Sequence, residues 1–294
     1  MAGNLKSVGT ETFIRAINAA AQNAWDLLPS GYPRKLSSAW IGAAGIDADS
    51  EAERLKETLA GMLDIAVQRI TVSNDAMLVG ASIKQAGIAA ISGTGSIVLV
   101  LSCDPHLRIR SRVGGLGWVL GDEGSAYSIG RAALRAAIDH ADHISWPNCD
   151  CSDDDNGDLN TLLERIMSEW DTKSAETLLE TLYAPGDTEK HRLAALTPLV
   201  FSLAKQDNQA CLGIIQGQAQ LFARQIVAAA RRCAGISPRT LCLGGSIMGL
   251  ELFRDHVLAE VAAHGIDFTD IMFVSDAASE AAVSLAHRDS PINK

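Results

Sequence analysis

Aromatic residues are scarce: five Trp, three Tyr and six Phe in a chain of 294 residues. Proteins that stack nucleic-acid bases need such rings, so this scarcity argues against a base-stacking surface. Positive charge is also short. Lys and Arg number 25 against 35 Asp and Glu, a net charge of −10. That balance is repelled by a phosphate backbone, so nucleic acid is not an expected partner. No apolar run approaches the ~18 residues that a membrane helix needs; the longest dense run, Ile97–Leu101, is strand-sized. No membrane association is therefore expected. The opening MAGNLKSVGTETF lacks an apolar signal region. The six cysteines, Cys103, Cys149, Cys151, Cys211, Cys233 and Cys242, are scattered without a CxxC pair. Neither a zinc ribbon nor a disulfide framework is expected, no metal-ligand set is visible, and a reducing, cytoplasmic setting fits. No Gly-Lys pair occurs anywhere, which argues against a Walker phosphate loop.

What remains is an ordinary globular composition, 47% hydrophobic and 20% charged, with enough chain for about two domains. Apolar spacing predicts a helix from Thr10 through Leu28, stopped by Pro29, Gly31 and Pro33. A strand over Ala39–Gly45, a helix over Glu51–Leu63, a strand over Arg69–Ser73 and a short helix over Ala76–Lys84 follow. This alternation is that of a layered α/β sheet. Three strands come next without intervening helices: Gly87–Ser92, Ile97–Ser102 and Leu107–Arg112. Helices are expected over Gly130–His140, through most of Thr161–Leu203, and over Asp207–Cys233. The polar, acidic stretch Pro147–Asn160 reads as a surface loop. The end of the chain repeats a strand–glycine–helix unit at Thr240–His264, then adds a strand at Ile271–Val274 and a helix at Ala278–His287.

Four segments have the residue types for chemistry. Ser73-Asn74-Asp75-Ala76 places a carboxylate at a strand end just before a helix. There the helix dipole favours an ionised acid, suited to deprotonating a hydroxyl; the same aspartate also makes a plain helix cap. Ser92-Gly93-Thr94-Gly95-Ser96 lets successive N–H groups share one concavity, a phosphate-binding nest, or forms a tight hairpin. The stretch Gly114–Ser125, GGLGWVLGDEGS, sets five glycines around Asp122 and Glu123 and leads into a helix. Its acids are acceptors for sugar hydroxyls, or the segment is a mobile surface loop. Leu243-Gly244-Gly245-Ser246 lets backbone approach a nucleotide closely, or is a structural turn. Ser152–Asp158 imitates a calcium loop, but loop position twelve falls on Leu163, so key ligands fail.

In combination and order, GNLKSVG, SNDA, ISGTGS, GGLGWVLGDEGSAYSIGRAALRA and CLGGS resemble the N-acetylglucosamine kinase branch of the BadF/BadG/BcrA/BcrD ATPase family. That family lies within the actin/hexokinase/Hsp70 superfamily. The resemblance runs from about residue 3 to the last helix and is most specific in GDEGSAY beside GTGS. It implies an α/β, two-domain actin-like ATPase (ribonuclease H-like) fold with an interdomain cleft that closes to exclude water. The expected domains are residues 1–86 and 87–277, with helix 278–294 packing on the first. The implied activity is ATP- and magnesium-dependent phosphorylation of an amino sugar, N-acetylglucosamine to its 6-phosphate. Asp75 is then the catalytic base. Asn4, Asn74, Thr94, Gly115, Asp122 and Glu123 face the sugar, while Gly93, Thr94, Gly95, Ser96, Gly244 and Gly245 face ATP. A homodimer is also implied.

Two departures qualify the resemblance. Leu116 stands where many relatives have Trp. The family's opening strand and DGGGTKT hairpin have no counterpart here, so the first domain reads as truncated at its N-terminus. The expectation is weak or no turnover by these 294 residues. The alternative is an inactive relative that binds sugar or protein partners.

Overall fold

The computed structural model describes residues 9–33, 35–43, 46, 49–104, 106–142, 153–186, 188–233 and 240–289. Contacts divide the chain into two compact units. One comprises Met1–Gln85, Cys103–Leu107 and Asp276–Lys294, the other Ala86–Ser102 and Arg108–Ser275.

The first unit opens with α1 (Thr10–Asp26), then β1 (Ala39–Gly42), α2 (Asp49–Leu63), β2 (Ile70–Ser73) and the single turn α3 (Ala76–Val79). Strands β1 and β2 pair in parallel, Ala39 opposite Ile70 through Gly42 opposite Ser73. They are the only strands of this sheet among the described residues. Apolar positions of the strands and helices, Phe13, Ile41, Leu55, Leu59, Ile70 and Val72, close into one core. Gly42 ends β1 because α3 leaves no room for a side chain: a Cβ there would lie 2.9 Å from the Asp75 Cα.

The second unit is built on a five-stranded mixed sheet in the order β5-β4-β3-β6-β7. Its strands are β3 (Ala86–Ser92), β4 (Ser96–Cys103), β5 (Leu107–Val113), β6 (Thr240–Gly244) and β7 (Asp270–Val274). β3 and β4 form an antiparallel hairpin, whereas β3–β6 and β6–β7 are parallel. Its helices are α4 (Ala126–Ala141), α5 (Asp153–Glu169), α6 (Leu178–Leu182), α7 (Glu189–Ala195), α8 (Thr197–Ala204), α9 (Gln209–Arg232) and α10 (Glu251–Ala263). A final helix, α11 (Ala277–Asp289), returns to the first unit. Helix α9 carries Cys211, Ile215, Ala219, Phe222, Ile226 and Ala229 on its buried face, the 3.6-residue period of a helix against a core.

The structure corrects several expectations: the helix expected over Ala76–Lys84 is the single turn Ala76–Val79, and the strand expected over Ala39–Gly45 ends at Gly42. Part of the acidic stretch expected as a loop is helical from Asp153 onward, while 143–152 lie outside the described residues. Leu162 and Ile166 are fully buried in the core, and a run of aspartates suits a helix N-terminus, so the segment gains by coiling. Helix α4 also begins at Ala126 rather than Gly130, because the Ser125 hydroxyl accepts from Ser128 N–H at 3.2 Å and caps it. Gly130 then falls inside the helix, where a Cβ would run into the Leu193 carbonyl of α7. Gly130→Ala is expected to destabilise the fold by roughly 1–3 kcal/mol through overpacking. That loss should outweigh alanine's advantage of about 1 kcal/mol in helix propensity. A chemical denaturation midpoint equal to or above that of the parent would refute this close packing.

Candidate functional site

The adjacent parallel strands β3 and β6 both run into glycine turns at their carboxyl ends. Ligands of α/β sheets bind in that position. Gly93 N–H donates to Gly95 O at 2.9 Å and closes the first turn. The turn's carbonyls face the start of α4: Ala126 N–H donates to Gly93 O at 2.8 Å and Tyr127 N–H to Thr94 O at 3.4 Å. Among the described residues the N–H groups of Thr94 and Gly95 donate to no protein acceptor. Committed carbonyls with uncommitted donors are the arrangement of an anion nest.

The second turn packs directly on the first. Gly245 has φ +95°, and a Cβ there would collide with the Ser92 carbonyl. Ile247 N–H donates to that same carbonyl at 3.0 Å. Glycine at 245 is therefore required twice over, by its backbone angle and by backbone-on-backbone contact. A cavity of about 670 Å³ opens beside the two turns, lined by Thr94 and Ser246 with Phe201, Leu250, His191 and Lys205. This size and mostly apolar wall suit a small organic ligand.

The Gly-rich loop closes the other side. Ser92 Oγ donates to Gly124 O at 2.6 Å and Ser96 Oγ to Glu123 O at 2.8 Å. The Ser96 hydroxyl thus holds the loop against the turn. Asp122 is 4% exposed, and its Oδ2 lies 3.3 Å from Lys190 Nζ of α7. A Cβ on Gly95 would come within 2.9 Å of that oxygen and 3.4 Å of the lysine nitrogen. Nest, carboxylate and cation therefore form one cluster. The Glu123 carboxylate lies against Gly121, and Gly115 (φ +63°) backs onto Ile97. Between them Val119 and Leu120 are about three-quarters exposed (74% and 75%), so the loop's tip is apolar and open to solvent.

Asp75 stands in the first unit, where it follows β2 and caps α3, its Oδ1 accepting from Ala76 N–H at 3.0 Å. Asn74 braces it: Asn74 Oδ1 also accepts from Ala76 N–H, and Asn74 Nδ2 donates to Ile46 O at 3.3 Å. Trp40 Nε1 donates to Ser73 Oγ at 2.9 Å and fixes the strand end. The helix dipole was expected to hold Asp75 ionised. Instead its pKa is raised, because desolvation by surrounding protein outweighs the backbone hydrogen bonds that lower it. Helix α3 is one turn of four residues, too short for a strong dipole.

The sequence reading found both turns and the loop, and the structure joins Gly93, Thr94, Gly95, Ser96, Asp122, Glu123, Gly244 and Gly245 in one region of the second unit. Asn4 lies outside the described residues, as do Cys149 and Cys151. Lys190 was missed, since one lysine in a helical stretch carries no sequence signal. Among the described residues no cluster of three or more His, Cys, Asp or Glu is arranged to hold a metal. Burial pushes the Cys211 thiol up to about 12, which keeps it protonated and inert.

The chain is similar to known proteins. Over 168 residues the chain is 33% identical to an N-acetylmuramic acid/N-acetylglucosamine kinase of Clostridium acetobutylicum, a match covering 56% of this chain and 49% of that protein. Over 173 residues it is 26% identical to an N-acetyl-D-glucosamine kinase of Dictyostelium discoideum, covering 58% and 49%. The chain spans about half the length of these curated relatives. The crystal structure of a candidate N-acetylglucosamine kinase from Porphyromonas gingivalis superposes with a TM-score of 0.63 at 20% identity. That superposition covers 97% of this chain and 84% of the other, and so shows a shared α/β fold. The family model matches residues 2–269, across both glycine turns, the GDEGS loop and Asp75, and on that match the chain belongs to the BadF/BadG/BcrA/BcrD ATPase family.

Proposed function

We propose that this domain transfers a phosphoryl group from ATP to the 6-hydroxyl of an amino sugar, N-acetylglucosamine in the first instance. The observation that carries the reading is the nest: two N–H donors at Thr94 and Gly95 that meet no acceptor among the described residues, set beside a partly buried Asp122–Lys190 pair and a cavity of about 670 Å³. The names of the relatives, about half of whose length the chain spans, support the sugar class.

In this reading the nucleoside lies in the cavity, against Phe201 and Leu250. Its phosphates meet the nest N–H groups, which are pre-oriented donors for developing negative charge. Asp122 accepts hydrogen bonds from sugar hydroxyls, with Lys190 holding its carboxylate in place. Magnesium carried by the nucleotide would supply charge neutralisation at its phosphates; among the described residues no cluster of three or more His, Cys, Asp or Glu is arranged to hold it. Asp75 accepts the hydroxyl proton as the sugar oxygen bonds to the γ-phosphorus and the bond to the β,γ-bridging oxygen breaks. Desolvation raises the basicity of Asp75 and so favours this transfer.

The test is direct. Purified chain is mixed with ATP, magnesium and N-acetylglucosamine, and sugar phosphate is measured alongside the binding of each substrate. Sugar phosphate formation supports the reading. Sugar binding without nucleotide binding replaces it with the binding-protein alternative.

Asp75→Asn is expected to lower kcat by about 10²–10⁴-fold while leaving the sugar Kd within a few-fold. Its effect on stability has the opposite sign. The folded pKa lies above the ordinary 3.8, so the folded chain holds the extra proton and stability declines as pH rises through that window. Above the window the ionised carboxyl weakens the fold, and asparagine caps a helix as well as aspartate does. The variant should therefore match or exceed the parent's melting temperature at neutral pH, with no advantage below pH 3.8. Loss of turnover together with a lower melting temperature would mean that Asp75 is structural.

Asp122→Asn strands the Lys190 cation beside the nest. It is expected to raise the sugar KM and to destabilise the fold, since breaking a partly buried ion pair costs more than it saves. An unchanged sugar KM would remove Asp122 from the sugar site.

A further inference from the structure

Helix α9 is apolar on its buried face, yet along one side three long polar side chains recur at a spacing of seven: the half-buried Gln218 and Gln225 and the exposed Arg232. Seven residues are about two helical turns, so all three lie on one side of the helix. Each meets the chain between the end of β5 and the start of α4. Gln218 Oε1 accepts from Gly124 N–H at 3.1 Å. The Gln225 amide abuts Gly114, where an added Cβ would collide with its oxygen. Arg232 Nη1 donates to Arg112 O at 3.0 Å. The two feet of the Gly-rich loop, 112–114 and 124, therefore rest on one rail, while its tip stays open. Gly124 sits so close that a Cβ there would lie 2.5 Å from the Phe222 Cβ of the same helix.

Gln225 differs from its two neighbours. Its Oε1 is out of contact with solvent and, among the described residues, accepts no hydrogen bond. A buried acceptor without a donor is rare in native proteins and needs a reason. The amide faces Gly114 (φ +66°), which is followed by a second glycine in the left-handed region, Gly115 (φ +63°). Their backbone is free to rotate and bring an N–H onto it.

We propose that Gln218, Gln225 and Arg232 are positioning residues for the sugar-side loop, and that Gln225 is its latch. When sugar engages Asp122 and Gly115, a loop N–H turns onto Gln225 Oε1 and fixes the loop in its working position. The proposal rests on the sugar-kinase reading above, but it concerns residues to which that reading gives no role.

Gln225→Met keeps the length of the side chain and removes its polar atoms. If Gln225 only fills space, deleting an unpaired buried acceptor is neutral or stabilising; sugar KM and amide exchange across residues 114–124 then stay as in the parent, and the proposal is overturned. If it is the latch, sugar KM rises roughly tenfold or more. ATP KM and melting temperature hold, and the protection that N-acetylglucosamine confers on 114–124 in hydrogen exchange is lost. Gln218→Leu separates this proposal from the kinase reading. Should the parent chain neither bind nor phosphorylate the sugar, the kinase reading fails and the sugar-driven latch falls with it, while the rail is a separate claim. The rail is then judged without ligand, where Gln218→Leu must speed exchange across 114–124, and an unchanged rate ends it.

Discussion

The second unit depends on the end of one strand. Ser92 terminates β3, and its carbonyl accepts from Ile247 while its hydroxyl donates to Gly124 O. Three backbone segments thus meet on one fully buried residue: the nest, the turn after β6 and the Gly-rich loop. Buried backbone groups must be paired, and here each pairs with a segment distant in sequence. The glycines around Ser92 follow from this. Main chain packed on main chain leaves no room for a Cβ at 245, and the Asp122 carboxylate leaves little at 95. The site is a consequence of backbone packing, with few side chains added to it.

This explains what the sequence made legible and what it hid. Glycine at 93, 95, 114, 115, 117, 121, 124, 244 and 245 is a dense, local signal: six of these positions, 114, 115, 117, 121, 124 and 245, have positive φ, and at 245 the Ser92 backbone also leaves no room for a Cβ. The strands and long helices showed in their apolar periods. Lys190 did not, since its importance comes from a contact with Asp122 across 68 positions of chain. Gln218, Gln225 and Arg232 did leave a trace, a seven-residue polar interval on an apolar helix face. The trace means something only once the helix is known to pass beneath the loop. The helical part of the acidic stretch was hidden because composition outweighed the buried pair Leu162 and Ile166.

Asp75 shows a conflict between fold and proposed chemistry. A helix cap works best with a fully ionised or neutral polar acceptor, and either suits a one-turn helix. A base must be ionised and yet basic, which requires desolvation. The structure raises the pKa of Asp75 and holds it with Asn74, whose amide is engaged at both ends by backbone. Stability is surrendered at this residue, as functional sites commonly require.

The overall charge of −10 poses a last question for a nucleotide site. Net charge acts at long range and is screened within about 8 Å at physiological salt. Binding of a polyphosphate is decided inside that radius. There the second unit offers, among the described residues, two uncommitted N–H groups at Thr94 and Gly95, with Lys190, partly neutralised by Asp122, beside them and Lys205 on the cavity wall. Oriented amide dipoles bear no net charge, so an acidic protein can present a locally electropositive concavity without a basic surface. On the proposed reading, such a site binds phosphate held at the right distance and leaves phosphate backbones in solution repelled. The scarcity of Lys and Arg and the abundance of glycine are two sides of that one solution.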